Sequence, residues 1–217
     1  MKPNVSEDLI NEKIMKSNIR YWVIAVFSIC IGIYPLIYMI VDKEAEGFLR
    51  SKSASLLTNT LWRIAFFTHI YFGGISLLVG WSQFSKRIRA KRLKLHRLLG
   101  KIYVIAVLLS SITGLYIAFY ANGGIVSQLG FSFLAIGWFY TTFNAYTSIK
   151  KKKVEAHRKW MIRSYAFTFA AVTLRLWLPT LTSLLNIPFN EAYIIISWLC
   201  WVPNIIIAEI YIRKAIL

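Results

Sequence analysis

Long runs of apolar residues, separated by short polar segments, make up most of this chain. A transmembrane helix needs about 20 predominantly apolar residues. Six runs meet this requirement: residues 21–41, 61–85, 98–121, 125–149, 160–178 and 192–212. The runs lack the alternation of a barrel strand, and only helices or closed barrels satisfy the backbone in hydrocarbon. The pattern therefore predicts an all-α integral membrane protein with six transmembrane helices.

The composition is that of a membrane protein. Of the 217 residues, 57% are hydrophobic and 16% are charged, whereas soluble domains average roughly 45–50% and 25%. The 26 Lys and Arg residues outnumber the 9 Asp and Glu residues, which gives a formal net charge of +17. In a soluble protein this charge would favour nucleic acid as a partner, but in a membrane protein it indicates loops held in the cytoplasm. We therefore expect no nucleic-acid partner.

The basic residues occupy every second polar segment. They are concentrated in residues 1–20, 86–101, 150–159 and 213–214, whereas segments 42–60, 122–124 and 179–191 carry no basic excess. This alternation follows the positive-inside rule and predicts that both termini are cytoplasmic. We expect residues 1–20 to form a cytoplasmic arm and residues 21–217 to form a single transmembrane domain. The basic segments are expected to attract anionic lipids at the cytoplasmic face.

The second to fifth apolar runs place small and polar residues on one helix face, at spacings of three and four. Residues of this kind face protein rather than lipid. The four helices are therefore expected to form a core with a partly polar interior, with the first and sixth helices at its periphery. These helices contain no Asp or Glu, which disfavours a cation-coupled transporter.

Four residues of these helices are candidate ligand-binding residues: Arg175, Arg63, Asn144 and Thr168. A buried arginine is costly in a membrane unless it is paired. The two arginines either extend to lipid headgroups or converge on an anionic ligand such as a propionate, a carboxylate or a phosphate. The position of Arg63 at a helix end favours the first alternative. Arg175 shares a helix face with Thr168, which favours the second.

The three histidines are candidate cofactor ligands. His96 and His157 lie close to the starts of the third and fifth apolar runs and are expected at matched depth. Histidine pairs on neighbouring helices hold haem iron in helical bundles, so these two residues are the candidate metal ligands of a haem b. The alternative is that both are interfacial residues bonded to carbonyls or lipid phosphates. His69 lies too far along its helix to share their ligand, and is either a cofactor ligand or a neutral core histidine.

Two segments resemble the signature of a bacterial family of predicted membrane proteins, domain of unknown function 2306. These segments are residues 96–103, with the sequence HRLLGKIY, and residues 156–165, with the sequence AHRKWMIRSY. The continuation through residues 167–176 and the region around His69 strengthen the resemblance, which covers about residues 61–180. It implies a plasma-membrane protein and supplies no established activity.

The chain is also similar, more weakly, to the two-haem transmembrane cytochromes b. In that architecture the third and fifth of six helices share one haem, and the second and fourth share another. His96 and His157 match the first pair by position. His69 matches half of the second pair, but the fourth helix offers no histidine. The resemblance therefore supports at most one haem.

Two classes of function follow from these observations. The first is a b-type haem or quinone-linked electron-transfer subunit. The second is a non-redox binding or transport protein for a small anionic or amphipathic ligand, and an accessory membrane protein without chemistry is a further alternative. Since HExxH, GxSxG and P-loop patterns do not occur in the sequence, no motif assigns an enzymatic reaction.

Overall fold

The computed structural model describes residues 19, 21–37 and 47–214, and the regular elements in these residues are all helices. The α-helices, numbered here in chain order, are α1 (Tyr21–Leu36), α2 (Ala54–Leu57), α3 (Thr60–Gly80), α4 (Lys86–Lys91), α5 (Leu93–Ala118), α6 (Gly124–Lys150), α7 (Val154–Thr168), α8 (Ala170–Pro179), α9 (Phe189–Leu199) and α10 (Val202–Lys214). Short 3₁₀ segments cover Tyr34–Leu36 at the end of α1, Gly47–Ser51 and Trp81–Phe84, and a π-helical turn covers Thr180–Leu184.

Five helical spans of the described chain are long and apolar enough to cross a membrane. They are Thr60–Phe84, Leu93–Ala118, Gly124–Lys150, Val154–Leu184 and Phe189–Lys214. They correspond to the second to sixth predicted spans, and the all-α membrane architecture is thereby confirmed. The first predicted span, residues 21–41, corresponds to the shorter apolar helix α1 and extends into residues outside the described ones. The expected arm at residues 1–20 lies outside the described residues except for residue 19.

Two spans begin earlier than the apolar pattern predicted. The third begins at residue 93 instead of 98, and the fifth at residue 154 instead of 160. Their first turns interrupt the apolar runs with charged residues and histidine, and the backbone N–H groups of His96 and His157 donate there to the carbonyls of Arg92 and Lys153. A helix in the interfacial region needs this backbone pairing but no hydrophobicity. Both histidines therefore lie within helices.

The bundle has the expected four-helix core. Helix α3 packs against α5 and α7, and α6 packs against the same two helices, so these four helices close a ring. Helix α1 lies against α3, while α9 and α10 pack against α6 and α7 respectively. We call the end with the basic segments 85–97 and 150–154 the basic end. The opposite end, with segments 47–59, 119–123 and 180–188, is called the far end.

A cluster of five polar side chains joins α5, α6 and α7. The Tyr103 hydroxyl lies 2.7 Å from the hydroxyls of both Ser164 and Thr168. Trp138 Nε1 donates to Thr168 Oγ1 at 2.9 Å, and the Thr142 and Ser164 hydroxyls lie 2.6 Å apart. These side chains are buried. Because Thr168 donates its own proton to the Ser164 carbonyl, its oxygen is left to accept from the other two helices.

An ion pair attaches the last helix to the core. Arg163 on α7 and Glu209 on α10 form a two-point salt bridge, with Arg163 Nη2 donating to Oε2 at 2.9 Å. The Arg163 guanidinium also lies over the Trp160 ring, 4.7 Å from its centroid. This pair was not predicted from the sequence, because Glu209 lies on the last helix and not on one of the four core helices.

Close backbone contact holds α1 against α3 at Gly32 and Gly74. A Cβ atom added at Gly74 would lie 2.6 Å from the Gly32 carbonyl oxygen, closer than real Cβ contacts allow. In membranes, small residues permit this kind of approach between helices. A hydrogen bond of 2.6 Å between Ser28 and the Tyr165 hydroxyl also ties α1 to α7.

The polar cluster generates a prediction about stability. Thr168→Val keeps the side-chain shape but removes the acceptor of Trp138 and one of the two hydroxyl partners of Tyr103. Stranding a buried donor destabilises the fold. We expect a loss of about 1–2 kcal/mol in the free energy of unfolding, as found for buried polar contacts in membrane proteins. Reversible denaturation in detergent micelles measures it. The matched control is Thr113→Val, since Thr113 donates only to carbonyls of its own helix. Equal losses in the two variants would contradict the prediction.

A cavity at the far end of the bundle

A cavity of about 950 Å³ lies within the described helices, between the core and α1, α8 and α9. Most of the residues that line it are apolar, and many are aromatic. The aromatic lining residues are Tyr34, Trp62, Phe66, Phe131, Trp138, Phe167, Phe189 and Tyr193. Ligand pockets in proteins have volumes of about 300–1,000 Å³ and combine apolar walls with a few placed polar groups. The cavity has this size and this kind of lining.

The break between α7 and α8 shapes the wall. The regular helix ends at Thr168, and Phe169 separates it from α8. At the far end, Pro179 lacks the N–H that would donate to the Arg175 carbonyl, and a π-helical turn follows. Helix α8 contributes Ala171, Leu174 and Arg175 to the wall. The short side chains of Ala170 and Ala171 leave space that larger side chains would fill.

Arg175 is the charged residue of the wall that belongs to a membrane-spanning helix. It is half-buried, its Nη1 donates to the Ala171 carbonyl at 2.9 Å, and its guanidinium lies 4.8 Å from the centroid of the Tyr34 ring. A cation over an aromatic face is stabilised by the ring quadrupole, most strongly where water is excluded. These contacts fix the guanidinium beside the cavity.

His69 lies in the opposite wall, on α3. Its Nδ1 lies 2.8 Å from the Ser110 carbonyl oxygen and 3.2 Å from Ser110 Oγ. The Ser110 hydroxyl donates to the His69 carbonyl at 2.8 Å. A carbonyl oxygen only accepts, and the hydroxyl proton is already used, so Nδ1 carries the proton in the neutral ring. Nε2 is then the nitrogen with the free lone pair.

Two further cations, Arg50 and Lys52, line the cavity at the far end. Lys52 Nζ donates to the Tyr120 carbonyl and to Asn122 Oδ1, both at 2.6 Å. These bonds connect the segment before α3 with the loop between α5 and α6. Partial burial lowers the pKa of Lys52 from its ordinary value of 10.5 to about 8, because burial disfavours the charged form of an amine.

The structure distributes the four predicted ligand-binding residues over three locations. Arg175 and Thr168 both line the cavity. Arg63 is exposed on the outside of α3 and is not part of the wall. Asn144 is half-exposed and donates to the Tyr140 carbonyl of its own helix at 2.8 Å. The cavity therefore brings together two of the four, and His69 with them.

His96 and His157 lie elsewhere, towards the basic end. Each precedes by seven residues one partner of the bond between Tyr103 and Ser164, so the two lie at the same level on parallel helices α5 and α7. His157 Nδ1 bonds to the Ala145 carbonyl at 2.8 Å. His96 Nδ1 is buried and has no hydrogen-bond partner among the described residues. Neither residue lines the cavity.

Several residues of the cavity were not singled out from the sequence. Lys52 belongs to a charge-balanced loop, and Tyr34 and Trp138 are ordinary apolar residues of their spans. One usable signal was present: Gly73 and Gly114 align with His69 and Ser110 on the faces of the second and third spans. Small residues beside a polar one indicate a close helix contact, and a Cβ at Gly114 would lie 2.7 Å from His69 Nδ1.

The lowered pKa of Lys52 predicts how stability changes with pH. Between pH 8 and 10.5 the unfolded chain holds this proton and the folded chain does not, so stability rises with pH over that window. We expect the free energy of unfolding of the wild type to rise from pH 8 to 10 relative to that of Lys52→Met. Parallel denaturation curves at several pH values measure the difference, and a difference that does not change with pH would refute the assignment.

Comparison with known proteins gives one match. No curated protein and no solved structure matches the chain. A family model described as "Predicted membrane protein (DUF2306)" matches residues 66–212. The matched region contains His69 and Arg175, while Tyr34 and Lys52 precede it. Because the match covers more than half of the chain and agrees with the five membrane-spanning helices, the chain belongs to the DUF2306 family of predicted membrane proteins.

Proposed function

We propose that this multi-pass membrane protein binds a small amphipathic anion in the cavity at the far end of the bundle. The observation that carries the proposal is Arg175, a guanidinium in the wall of a large aromatic cavity within the membrane-spanning region. The proposed ligand places its anionic group at Arg175 and its apolar body against the aromatic walls. Binding is the function proposed, and it requires no chemical step.

The cost of placing an arginine within a membrane favours an anionic ligand beside it. An arginine at membrane depth is expensive to keep, and residues of this kind mark binding sites or ion pathways. Attraction between opposite charges is stronger in a site with little water than in bulk solvent. Guanidinium groups also bind carboxylates and phosphates through two parallel hydrogen bonds. The aromatic lining adds the free energy of apolar burial, roughly 25 cal/mol for each Å² removed from water.

Arg175 and Arg63 provide a matched test. Binding of octanoate to the protein in lipid nanodiscs is measured by titration calorimetry, with intrinsic tryptophan fluorescence as a second signal. Removing one charged hydrogen bond costs about 1.5–3 kcal/mol, so Arg175→Gln should weaken binding by about tenfold or more. Arg63→Gln, which removes the same charge from an exposed position, should change the affinity by less than about twofold. Equal effects of the two changes would refute the proposal.

A second candidate function is electron transfer through a haem b held by His96 and His157. Its support is the equal level of the two residues on α5 and α7, together with the buried, unpartnered Nδ1 of His96. A buried polar atom without a hydrogen-bond partner is costly. A ligand that bonded to this nitrogen of His96 would remove that cost. Because His157 Nδ1 donates to the Ala145 carbonyl, the lone pair of this ring is on Nε2 and is available to an iron ion.

Absorption spectroscopy tests the haem proposal. The protein is purified with haem supplied during expression, and spectra are recorded before and after reduction with dithionite. A Soret band with sharp reduced bands that disappears in both His96→Ala and His157→Ala, but persists in His69→Ala, is the expected result. A colourless wild-type protein, or one whose spectrum survives both changes, would exclude this role.

We also propose that the protein lies in the plasma membrane with both termini in the cytoplasm. The support is the basic excess at one end of the bundle, in segments 85–97 and 150–154 and at Arg213 and Lys214. Loops rich in Lys and Arg are retained on the cytoplasmic side. The same residues would attract anionic lipid headgroups, each by roughly 1 kcal/mol near the membrane surface.

A further inference from the structure

His69 is a hydrogen-bond acceptor in the cavity wall. Its Nδ1 proton is committed to Ser110, so the neutral ring offers a lone pair at Nε2. Among the residues that the structure describes, the hydrogen bonds of this ring are made through Nδ1 and none through Nε2. Whatever fills the cavity beside this ring must therefore either donate a hydrogen bond to Nε2 or leave a water molecule there.

The ring is held in this orientation from the other side. A Cβ atom at Gly114 would lie 2.7 Å from His69 Nδ1 and 2.9 Å from Cε1. The ring therefore packs directly on the backbone of α5, with its hydrogen bond to Ser110 one turn away. Packing and hydrogen bonding together hold Nδ1 against α5. An acceptor held in place loses little entropy when a donor binds to it.

His69 and Arg175 lie at about the same depth. His69 is nine residues from Thr60, where α3 begins, and Arg175 is nine residues from Leu184, where its span ends. With a rise of 1.5 Å per residue, both are roughly 14 Å from the far end. Arg175 is also close enough for its charge to act on His69. An acceptor and a cation thus face one cavity at one level.

Beyond this level, towards the basic end, most of the lining is apolar, and the polar atoms of Thr168 and Trp138 are bonded to each other. Leu77 lies eight residues further along α3 than His69, which is roughly 12 Å. Phe167 and Leu134 line the same region. This region suits an alkyl chain of medium length. Arg50 and Lys52 lie on the other side, towards the mouth at the far end.

We propose that the cavity selects an amphipathic anion with a hydroxyl group next to its charged group, as in a medium-chain 2-hydroxycarboxylate. The carboxylate accepts hydrogen bonds from Arg175, the adjacent hydroxyl donates to His69 Nε2, and the alkyl chain lies along Leu77 and Phe167. This inference rests on the proposed function and names its ligand class. Because His69 and Arg175 lie at the same depth and the Arg175 charge acts on His69, the proposed ligand carries its hydroxyl next to its charged group.

The selectivity comes from the acceptor. A ligand without a donor removes water from Nε2 and replaces it with a methylene group, which leaves a buried acceptor unsatisfied. Sites built to hydrogen-bond a ligand group reject analogues that lack it for this reason. A net hydrogen bond contributes about 0.5–1.5 kcal/mol, so the hydroxylated ligand should bind roughly 2–10 times more tightly.

The experiment compares octanoate, 2-hydroxyoctanoate and 8-hydroxyoctanoate in the nanodisc titration described above. We expect wild-type protein to prefer 2-hydroxyoctanoate over octanoate by roughly 2–10-fold, and to show no preference for 8-hydroxyoctanoate. His69→Leu should abolish the preference while octanoate still binds. His69→Gln, which retains an acceptor oxygen, should keep part of it.

A second variant guards against misfolding of the His69 substitutions. Gly114→Ala leaves the histidine in the chain but displaces its ring from Ser110, and should also reduce the preference. If both carboxylates bind equally to the wild type, or if the preference survives His69→Leu and Gly114→Ala, the ligand class is wrong while the anion site stands. If neither carboxylate binds to the wild type, the proposed function fails and this inference fails with it.

Discussion

The structure depends on one constraint: polar groups inside the membrane must be satisfied by other protein groups, because hydrocarbon offers none. Tyr103, Thr142 and Ser164 meet this constraint together with Thr168 and Trp138, at the point where α5, α6 and α7 meet. Removing the hydroxyl of Ser164 or Thr168 takes a partner from side chains on two other helices. The cluster therefore fixes the relative rotation of three helices, which dispersion contacts between apolar surfaces specify only weakly in lipid.

The cavity begins where this cluster ends. Thr168, the last residue of α7, belongs both to the cluster and to the cavity wall. Trp138 also belongs to both. On the side towards the basic end the helices pack tightly around Tyr103 and Tyr165. On the other side α8 starts after the break at Phe169 and small residues leave space. The tight packing towards the basic end and the cavity towards the far end therefore follow from the same few contacts.

The sequence was sufficient to predict the membrane-spanning helices. It was insufficient to predict where two of them begin and which residues share the cavity. Apolar run length predicted five spans closely because that length is set by membrane thickness. It placed the starts of α5 and α7 too late, since their first turns are polar. It singled out His69 and Arg175 because ionisable residues are rare at membrane depth. Their shared cavity depends on the break after Thr168 and on Tyr34 of α1, and neither is encoded in a periodic pattern.

Arg163 and Arg175 both belong to the fifth span but differ in what they contact. Arg163 lies in the half nearer the basic end and is neutralised by Glu209, a carboxylate of the same chain placed by α10. Such a pair stabilises the docking of α10 and needs no ligand. Arg175 lies twelve residues later, stacked on Tyr34 at a cavity whose opposite wall carries the acceptor of His69. The ligand proposed above would engage both of these residues, whereas the Arg163–Glu209 pair fixes one helix of the bundle to another.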